Sequence, residues 1–153
     1  MNRLKTALLS CVCFTLVGCS VLLPKDSPEN LALMHSEAQT AFEQGDDVRA
    51  RALYQKLTAL GGQDAETWLR LGNIYARTGS PQLAEEAYRQ SLVINPADVR
   101  ALNNLGVVLL RQSWQAFVRV QQVSQPGDGV HERSAELVQV LERLPSVVPE
   151  KSR

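Results

Sequence analysis

Residues 65–98 read AETWLRLGNIYARTGSPQLAEEAYRQSLVINPAD, and this stretch decides the fold of the chain. In its first half, Trp68, Leu71 and Tyr75 lie three and four residues apart, the spacing that places side chains on one face of an α-helix. Gly79 follows them, and glycine readily adopts the positive φ that closes a tight turn. The stretch therefore predicts an amphipathic helix that ends in a turn.

A second helix is predicted directly after that turn. Ser80 is a suitable N-cap residue, and Pro81 suits the first helical position because its missing N–H is not needed there. Ala84 and Tyr88 lie four residues apart and face back onto the first helix. Gly72 has no Cβ, so the two helices can approach closely at that point. The stretch is therefore a helix–turn–helix unit.

Numbered from 1 to 34, this unit resembles a tetratricopeptide repeat (TPR), whose signature is W-x2-L-G-x2-Y…A-x3-F…P. The matching landmarks are Trp68, Leu71, Gly72, Tyr75, Gly79, Ala84, Tyr88 and Pro96. The resemblance implies stacked helix pairs whose first helices line a concave groove. It also implies that Trp68, Tyr75 and Tyr88 are largely buried.

Neighbouring repeats are expected, because one repeat cannot bury its own apolar face. The turn glycine, the alanine and the second tyrosine recur 34 residues earlier, as Gly45, Ala50 and Tyr54. Positions 4, 7, 8 and 11 of the following repeat are occupied by Leu102, Leu105, Gly106 and Leu109. The predicted fold is therefore all-α, with two clear TPR repeats, a degenerate third repeat and a C-terminal capping helix.

The third repeat permits two arrangements after Leu110. Ser113 stands where the turn glycine is expected, and as a plausible N-cap it favours a tight turn that starts a second helix. A short deletion would instead align Ala116, Val120 and Val123 with positions 20, 24 and 27, and one helix would then run as far as about Ser124. In that case a single face is shared by Leu102, Leu105, Leu109, Ala116, Val120 and Val123. The turn is the favoured alternative.

The N-terminal residues indicate export and lipidation. A positive start is followed by a short apolar run from Thr6 to Val17, too short to span a bilayer as a helix. The run ends in Leu16-Val17-Gly18-Cys19, which resembles a bacterial lipobox and implies a lipid on Cys19. In lipoproteins like those of enterobacteria, an aspartate directly after the cysteine resembles a signal for retention in the inner membrane. Ser20 stands there instead, so the resemblance implies an outer-membrane protein that faces the periplasm. Several acyl chains anchor a protein without a transmembrane helix.

The expected organisation of the whole chain combines these signals. Pro24 and Pro28 indicate an extended tether, and Pro145 ends the last predicted helix. The predicted segments are a signal peptide at 1–18, the lipidated cysteine and tether at 19–30, the TPR array at 31–125 (repeats 31–64, 65–98 and 99–125), the capping helix at 130–144 and a disordered tail at 145–153.

Composition and motifs argue against catalysis and against nucleic acid as a ligand. The chain has 16 basic and 16 acidic side chains and no basic run interleaved with aromatic residues. Its two histidines, His35 and His131, lie far apart, and no catalytic or metal-binding motif is present. We expect no enzymatic activity, no metal, no small-molecule substrate and no cofactor beyond the covalent lipid on Cys19.

The resemblance implies a protein-binding groove along the first helix of each pair. Concave positions of the first repeat include Phe42. In the later repeats the predicted groove residues are Leu69, Arg70, Asn73, Arg77, Arg100, Asn103, Asn104, Val107 and Arg111. Asparagine can pair with both N–H and C=O of a peptide, and arginine can hold a carboxylate. Leu69 stands where repeats that grip a C-terminal carboxylate place lysine, a departure from that pattern.

The layout of lipobox, short tether and tandem repeats resembles periplasm-facing TPR lipoproteins of Tad/Flp and type IV pilus assembly, including pilotins. This implies a lipid-anchored adaptor that binds a protein partner during assembly of an envelope machine, a pilus or a secretion system. The alternatives are a general periplasmic interaction factor in cell-envelope maintenance and an accessory subunit of an envelope enzyme. We also predict that replacing Asn73 and Asn104 by alanine weakens binding without changing stability.

Overall fold

A computed structural model of the protein describes residues 27–61, 64–145 and 147. They form six helices and, over these ranges, no strand. The helices are α1 (Pro28–Glu43), α2 (Asp47–Ala59), α3 (Ala65–Arg77), α4 (Pro81–Ile94), α5 (Val99–Val123) and α6 (Gly129–Glu142). The predicted all-α class and its helix–turn–helix array are confirmed. The predicted signal peptide, Cys19 and the tether as far as residue 26 lie outside the described residues.

The first helix begins earlier than the sequence pattern predicted. Ser27 is its N-cap, and the Ser27 hydroxyl accepts a hydrogen bond from the backbone N–H of Asn30. Pro28 takes the first helical position. The last three residues of the predicted tether therefore belong to α1, because the capped proline starts a helix there.

Two tight turns close the first and second helix pairs. Gly45 and Gly79 have φ of 75° and 76°, so both turn glycines adopt the left-handed conformation that their position in the repeat predicts. Ser80 is the N-cap residue of α4, but its side chain makes no capping hydrogen bond. Of the two predicted features of this helix start, Pro81 at the first helical position is present as predicted, whereas the capping hydrogen bond of Ser80 is not formed.

The core lies between α1 and the first half of α5. Tyr88 of α4 is 1 % exposed and packs against Gly72 of α3. A Cβ on Gly72 would stand 2.4 Å from Cε1 of Tyr88, so only glycine fits at this contact. Tyr75 is buried as predicted, but Trp68 is only half-buried. Trp68 packs against the edge of the core and lines a surface depression together with Leu83, which is itself 46 % exposed.

The third repeat is a single helix, and the favoured turn at Ser113 is wrong. α5 runs for 25 residues from Val99 to Val123, and the Ser113 hydroxyl donates to the carbonyl oxygen of Leu109 within the same helix at 2.8 Å. After Gly106 the helix contains no glycine or proline that would end it. The alternative with one continuous helix is therefore the correct one.

The last helix packs against the second half of α5. Ser124 Oγ and His131 Nδ1 lie 3.0 Å apart across the connection, and Phe117 and Val120 face Leu137 of α6. Asp128 caps α6 through the backbone N–H of Val130. The predicted capping helix is thus present, over Gly129–Glu142.

The predicted disordered tail is wrong at Val147. This side chain is 0 % exposed, and its carbonyl oxygen accepts a hydrogen bond from Nε of Arg111 at 3.2 Å. An apolar side chain and a backbone acceptor together hold the segment against α5. Residues 146 and 148–153 of the predicted tail lie outside the described part of the chain.

Candidate protein-binding groove

Two adjoining depressions lie between α3 and α5, with volumes of about 520 Å³ and 460 Å³. The larger is lined by Phe42, Asn73, Ala76, Arg77, Tyr88, Asn104, Val107, Val108 and Arg111. The smaller is lined by Glu66, Leu69, Arg70, Asn73, Val99, Arg100, Asn103 and Asn104. The structure therefore brings all nine predicted groove residues to one surface. That this surface binds a partner stays a prediction.

A chain of amide and hydroxyl groups crosses the floor of the groove. Oδ1 of Asn73 accepts hydrogen bonds from the Tyr88 hydroxyl and from Nδ2 of Asn104, both at 2.9 Å. Oδ1 of Asn104 in turn accepts from Nδ2 of Asn103 at 3.2 Å. Asn73 and Asn104 are half-buried, whereas Asn103 is exposed. The network joins α3, α4 and α5.

This network argues against the expectation that Asn73 and Asn104 can be removed without loss of stability. Their side chains connect three helices, and Asn73 accepts the hydrogen bond of the buried Tyr88 hydroxyl. Removing that acceptor leaves a buried donor unsatisfied, which costs about 1–3 kcal/mol. Asn103 is the groove asparagine without this structural role, because its amide lies at the exposed end of the hydrogen-bond network.

Three of the four groove arginines are paired with carboxylates of the described residues. Arg77 holds Asp47 with two nitrogens, one of them Nε at 2.8 Å from Oδ2. Arg70 Nε donates to Glu66 at 2.7 Å. Arg100 donates to the other oxygen of Glu66 at 2.8 Å. The charges of Arg70, Arg77 and Arg100 are therefore balanced by carboxylates of the same chain.

Asp98 ties the arginine pairs to the start of α5. Its carboxylate caps the helix through the backbone N–H groups of Arg100 and Ala101 and also accepts from the Arg100 guanidinium at 2.9 Å. The hydrogen bond from the Arg100 side chain holds the pKa of Asp98 below its ordinary value. Arg100 thus bridges Asp98 and Glu66, which fixes the rim between the second and third repeats.

Phe42 brings the first repeat into the groove. The guanidinium carbons of Arg70 and Arg77 lie 4.6 Å and 4.5 Å from the centre of its ring, within the range of cation–π attraction. Asp47, the partner of Arg77, is a residue of the groove's ion pairs that sequence reasoning missed. It comes from the start of α2, 30 residues before Arg77, and no local pattern signals the contact.

Leu69 and Arg111, both predicted to offer their side chains to a ligand in the groove, have other contacts in the structure. Leu69 is 2 % exposed and belongs to the core, so it offers almost no apolar surface to a ligand. Arg111 binds the carbonyl of Val147, so the C-terminal segment meets one end of the groove. Val107 is half-buried and remains an apolar contact on the groove wall.

The described residues contain no group of His, Cys, Asp and Glu side chains that could hold a metal ion. Over the same part of the chain, none of the helices has both the length and the apolar character to cross a bilayer. The groove itself is an open surface with amide groups along its floor. Such a surface suits contact with a polypeptide.

A comparison with known protein families matches residues 34–150. The matching family is described as the middle TPR-like domain of cilia and flagella-associated protein 70. The match extends from α1 through α6 and covers most of the chain.

Proposed function

The chain belongs to this family of TPR-like domains, and from that premise we propose that it is an adaptor that binds a protein partner in its groove. TPR-like domains are interaction modules, and their concave surfaces are extended binding sites. The observation that carries the proposal is the open, amide-lined surface between α3 and α5, where all nine candidate residues meet.

The charge pairing suggests what kind of segment binds. Arg70, Arg77 and Arg100 already hold carboxylates of the same chain, so their attraction for a partner's carboxylate is reduced. The exposed amide of Asn103 can still donate to and accept from a peptide backbone. We therefore favour an extended, largely uncharged segment held through its main chain over capture of a C-terminal carboxylate.

Site-specific photo-crosslinking in the producing cells tests the groove. A photoreactive residue in place of Asn103 is expected to form a discrete adduct with one partner protein. The matched control is Gln90, which is also exposed but lies on α4 outside both depressions. A discrete adduct at Gln90 and none at Asn103 would place the binding site outside the groove.

The second part of the proposal concerns the anchor. We propose that Cys19 carries a lipid that attaches the adaptor to the bacterial envelope, on the periplasmic side of the outer membrane. Support comes from the tetrapeptide Leu16-Val17-Gly18-Cys19 after a short apolar run and from Ser20 after the cysteine. In this setting the adaptor assists the assembly of a pilus or secretion machine.

Metabolic labelling with palmitate tests the anchor. Label is expected in the wild type and in Cys13→Ser, because Cys13 lies within the apolar run, and it is expected to be lost in Cys19→Ser. Undiminished label in Cys19→Ser would refute the lipid anchor. That result would leave the groove experiment unaffected, so the two parts of the proposal fail separately.

A further inference from the structure

The face of α5 that carries Gly106 lacks the helix that covers its counterpart. In the second repeat, Tyr88 of α4 lies directly over Gly72. Gly106 stands 34 residues later, and nothing lies within 4 Å of the position that its Cβ would take. Leu102 and Leu109 on the same face are 50 % and 36 % exposed. The third repeat thus presents the surface that an opposing helix covers in the second repeat.

The open face continues along α5 as far as Val123, and at Val120 it borders the contact with α6. It is formed by Leu102, Gly106, Leu109, Ser113, Ala116, Val120 and Val123, which we call the α5 seam. Successive seam residues are alternately four and three apart, an average of 3.5 that is the spacing of a coiled-coil contact line. Gly106 and Val120 are half-buried and the other five are exposed, with Val123 at 69 %. No seam residue is charged.

We propose that the α5 seam binds the α5 seam of a second copy of this chain, with the two helices antiparallel. The second helix of a repeat runs antiparallel to the first, as α4 runs against α3. The second half of α5 carries the residues that the deletion alignment assigns to that second helix, namely Ala116, Val120 and Val123. Because α5 does not turn back, each copy supplies the helix that the other lacks.

The seam fits itself when it is reversed about Ser113. Reversal places Gly106 opposite Val120 and Leu109 close to Ala116, so small side chains meet large ones near the middle, and Leu102 meets Val123 at each end. Ser113 at the centre is small, and its hydroxyl is satisfied by the Leu109 carbonyl of its own helix. Since a two-fold axis buries the same seam on both copies, any charge on it would be buried twice, and the absence of charge from the seam avoids that cost.

The distribution of apolar surface favours a second copy as the occupant. Of the fourteen large hydrophobic residues that the described part of the chain exposes, nine lie on α5, on α6 or directly after it. Three of the nine, Leu102, Leu109 and Val123, belong to the seam and leave on the order of 300 Å² of apolar surface open, less than the roughly 800 Å² that each partner contributes to a standard interface. We therefore expect a dimer whose population rises with concentration.

The seam lies on a different face of α5 from the groove residues Asn103 and Val107, so dimerisation goes beyond the proposed function and does not depend on it. Sedimentation equilibrium of the full chain in density-matched detergent measures it directly. Between about 1 µM and about 1 mM, the protein mass is expected to rise from that of one chain toward that of two. A single-chain mass at the highest concentration would overturn the proposal and leave the seam to a helix of another protein.

Two neighbouring leucines provide a matched pair of variants. Leu109 and Leu110 are 36 % and 39 % exposed, but only Leu109 belongs to the seam. Leu109→Glu is expected to weaken self-association at least tenfold, and Leu110→Glu to leave it unchanged. Equal effects of the two would contradict the seam. If Leu109→Glu lowers the melting temperature, Val123→Glu near the end of α5 takes its place in the same comparison.

A mixing experiment tests the antiparallel orientation. Leu109→Glu and Ala116→Lys are each expected to remain single chains at concentrations where the wild type is dimeric. Mixed in equal amounts, they are expected to recover the two-chain mass, because the antiparallel pair places the glutamate of one copy near the lysine of the other. Failure of the mixture to associate, with both variants folded by circular dichroism, would exclude this arrangement.

Discussion

Gly72 and Gly106 occupy the same position in successive repeats, 34 residues apart. A Cβ on Gly72 would stand 2.4 Å from the Tyr88 ring, whereas a Cβ on Gly106 would meet nothing within 4 Å. The difference arises after the glycines, because Gly79 turns the chain back over α3, while α5 continues through Ser113 to Val123. A repeat signature on a first helix therefore does not guarantee that its second helix packs on it.

The largest difference between the two repeats is expected at the residue over each glycine. Tyr88→Ala should lower the free energy of unfolding by about 3–5 kcal/mol, since a fully buried aromatic side chain is removed. Val120→Ala, at the matching position of the third repeat, should cost only about 1 kcal/mol because Val120 is half-buried. Denaturant unfolding at low protein concentration measures both. Similar losses for the two variants would remove the contrast between the repeats.

The glycines themselves should respond with opposite signs. Gly72→Ala forces a methyl group into the Tyr88 ring and should cost about 1–3 kcal/mol of stability. Gly106→Ala adds a methyl group in open space within a helix and should stabilise the chain by about 0.5–1 kcal/mol. Thermal melts of the two variants at a protein concentration where the chain is single decide the matter, and destabilisation by Gly106→Ala would show that its face is covered within one chain.

A smaller effect is expected where the second repeat is joined to the third. Asn73→Ala removes the acceptor of the Tyr88 hydroxyl and of the Asn104 amide, and should cost about 1–2 kcal/mol. Asn103→Ala, which alters the exposed end of the same network, should stay within about 0.5 kcal/mol. The comparison is made by denaturant unfolding. An equal loss in both would mean that the network is not what holds the helices together.

The smallest effect is expected at high pH. Burial raises the pKa of Tyr88 from 10.0 to about 12, because the charged phenolate is disfavoured in the interior. The folded chain therefore holds this proton more tightly than the unfolded chain. The protonated phenol of Tyr88 contributes fully to the stability of the fold below pH 10, and this contribution is lost as the pH rises through 12.

At pH 11 the wild type should have lost about 1 kcal/mol of its free energy of unfolding relative to Tyr88→Phe, which has no phenol to titrate. Tyr54, whose pKa is also raised by burial, is present in both proteins and cancels from the difference. Denaturant midpoints between pH 9 and pH 12 measure the effect. Parallel pH profiles for the wild type and Tyr88→Phe would contradict it.

Much of the groove was predictable from the repeat register. A fixed 34-residue period places the same positions on the concave side of each first helix, and all nine predicted residues line the two depressions. The roles of individual residues were harder to predict. The burial of Leu69, the pairing of Arg77 with Asp47 and the bond between Arg111 and Val147 depend on contacts between distant segments. No local spacing encodes such contacts.

The sequence by itself determined the all-α class, the first two helix pairs and their turns. Short-range rules suffice there: helical periodicity selects the buried face, and glycine permits the positive φ that each turn requires. Only the tertiary structure decided the third repeat. The residues around Ser113 are compatible with a cap or with a continuous helix. Packing of α6 against the second half of α5, through Phe117 and Val120, favours the continuous helix. The free energy of that packing is a sum over contacts between segments, which the residues around Ser113 do not contain.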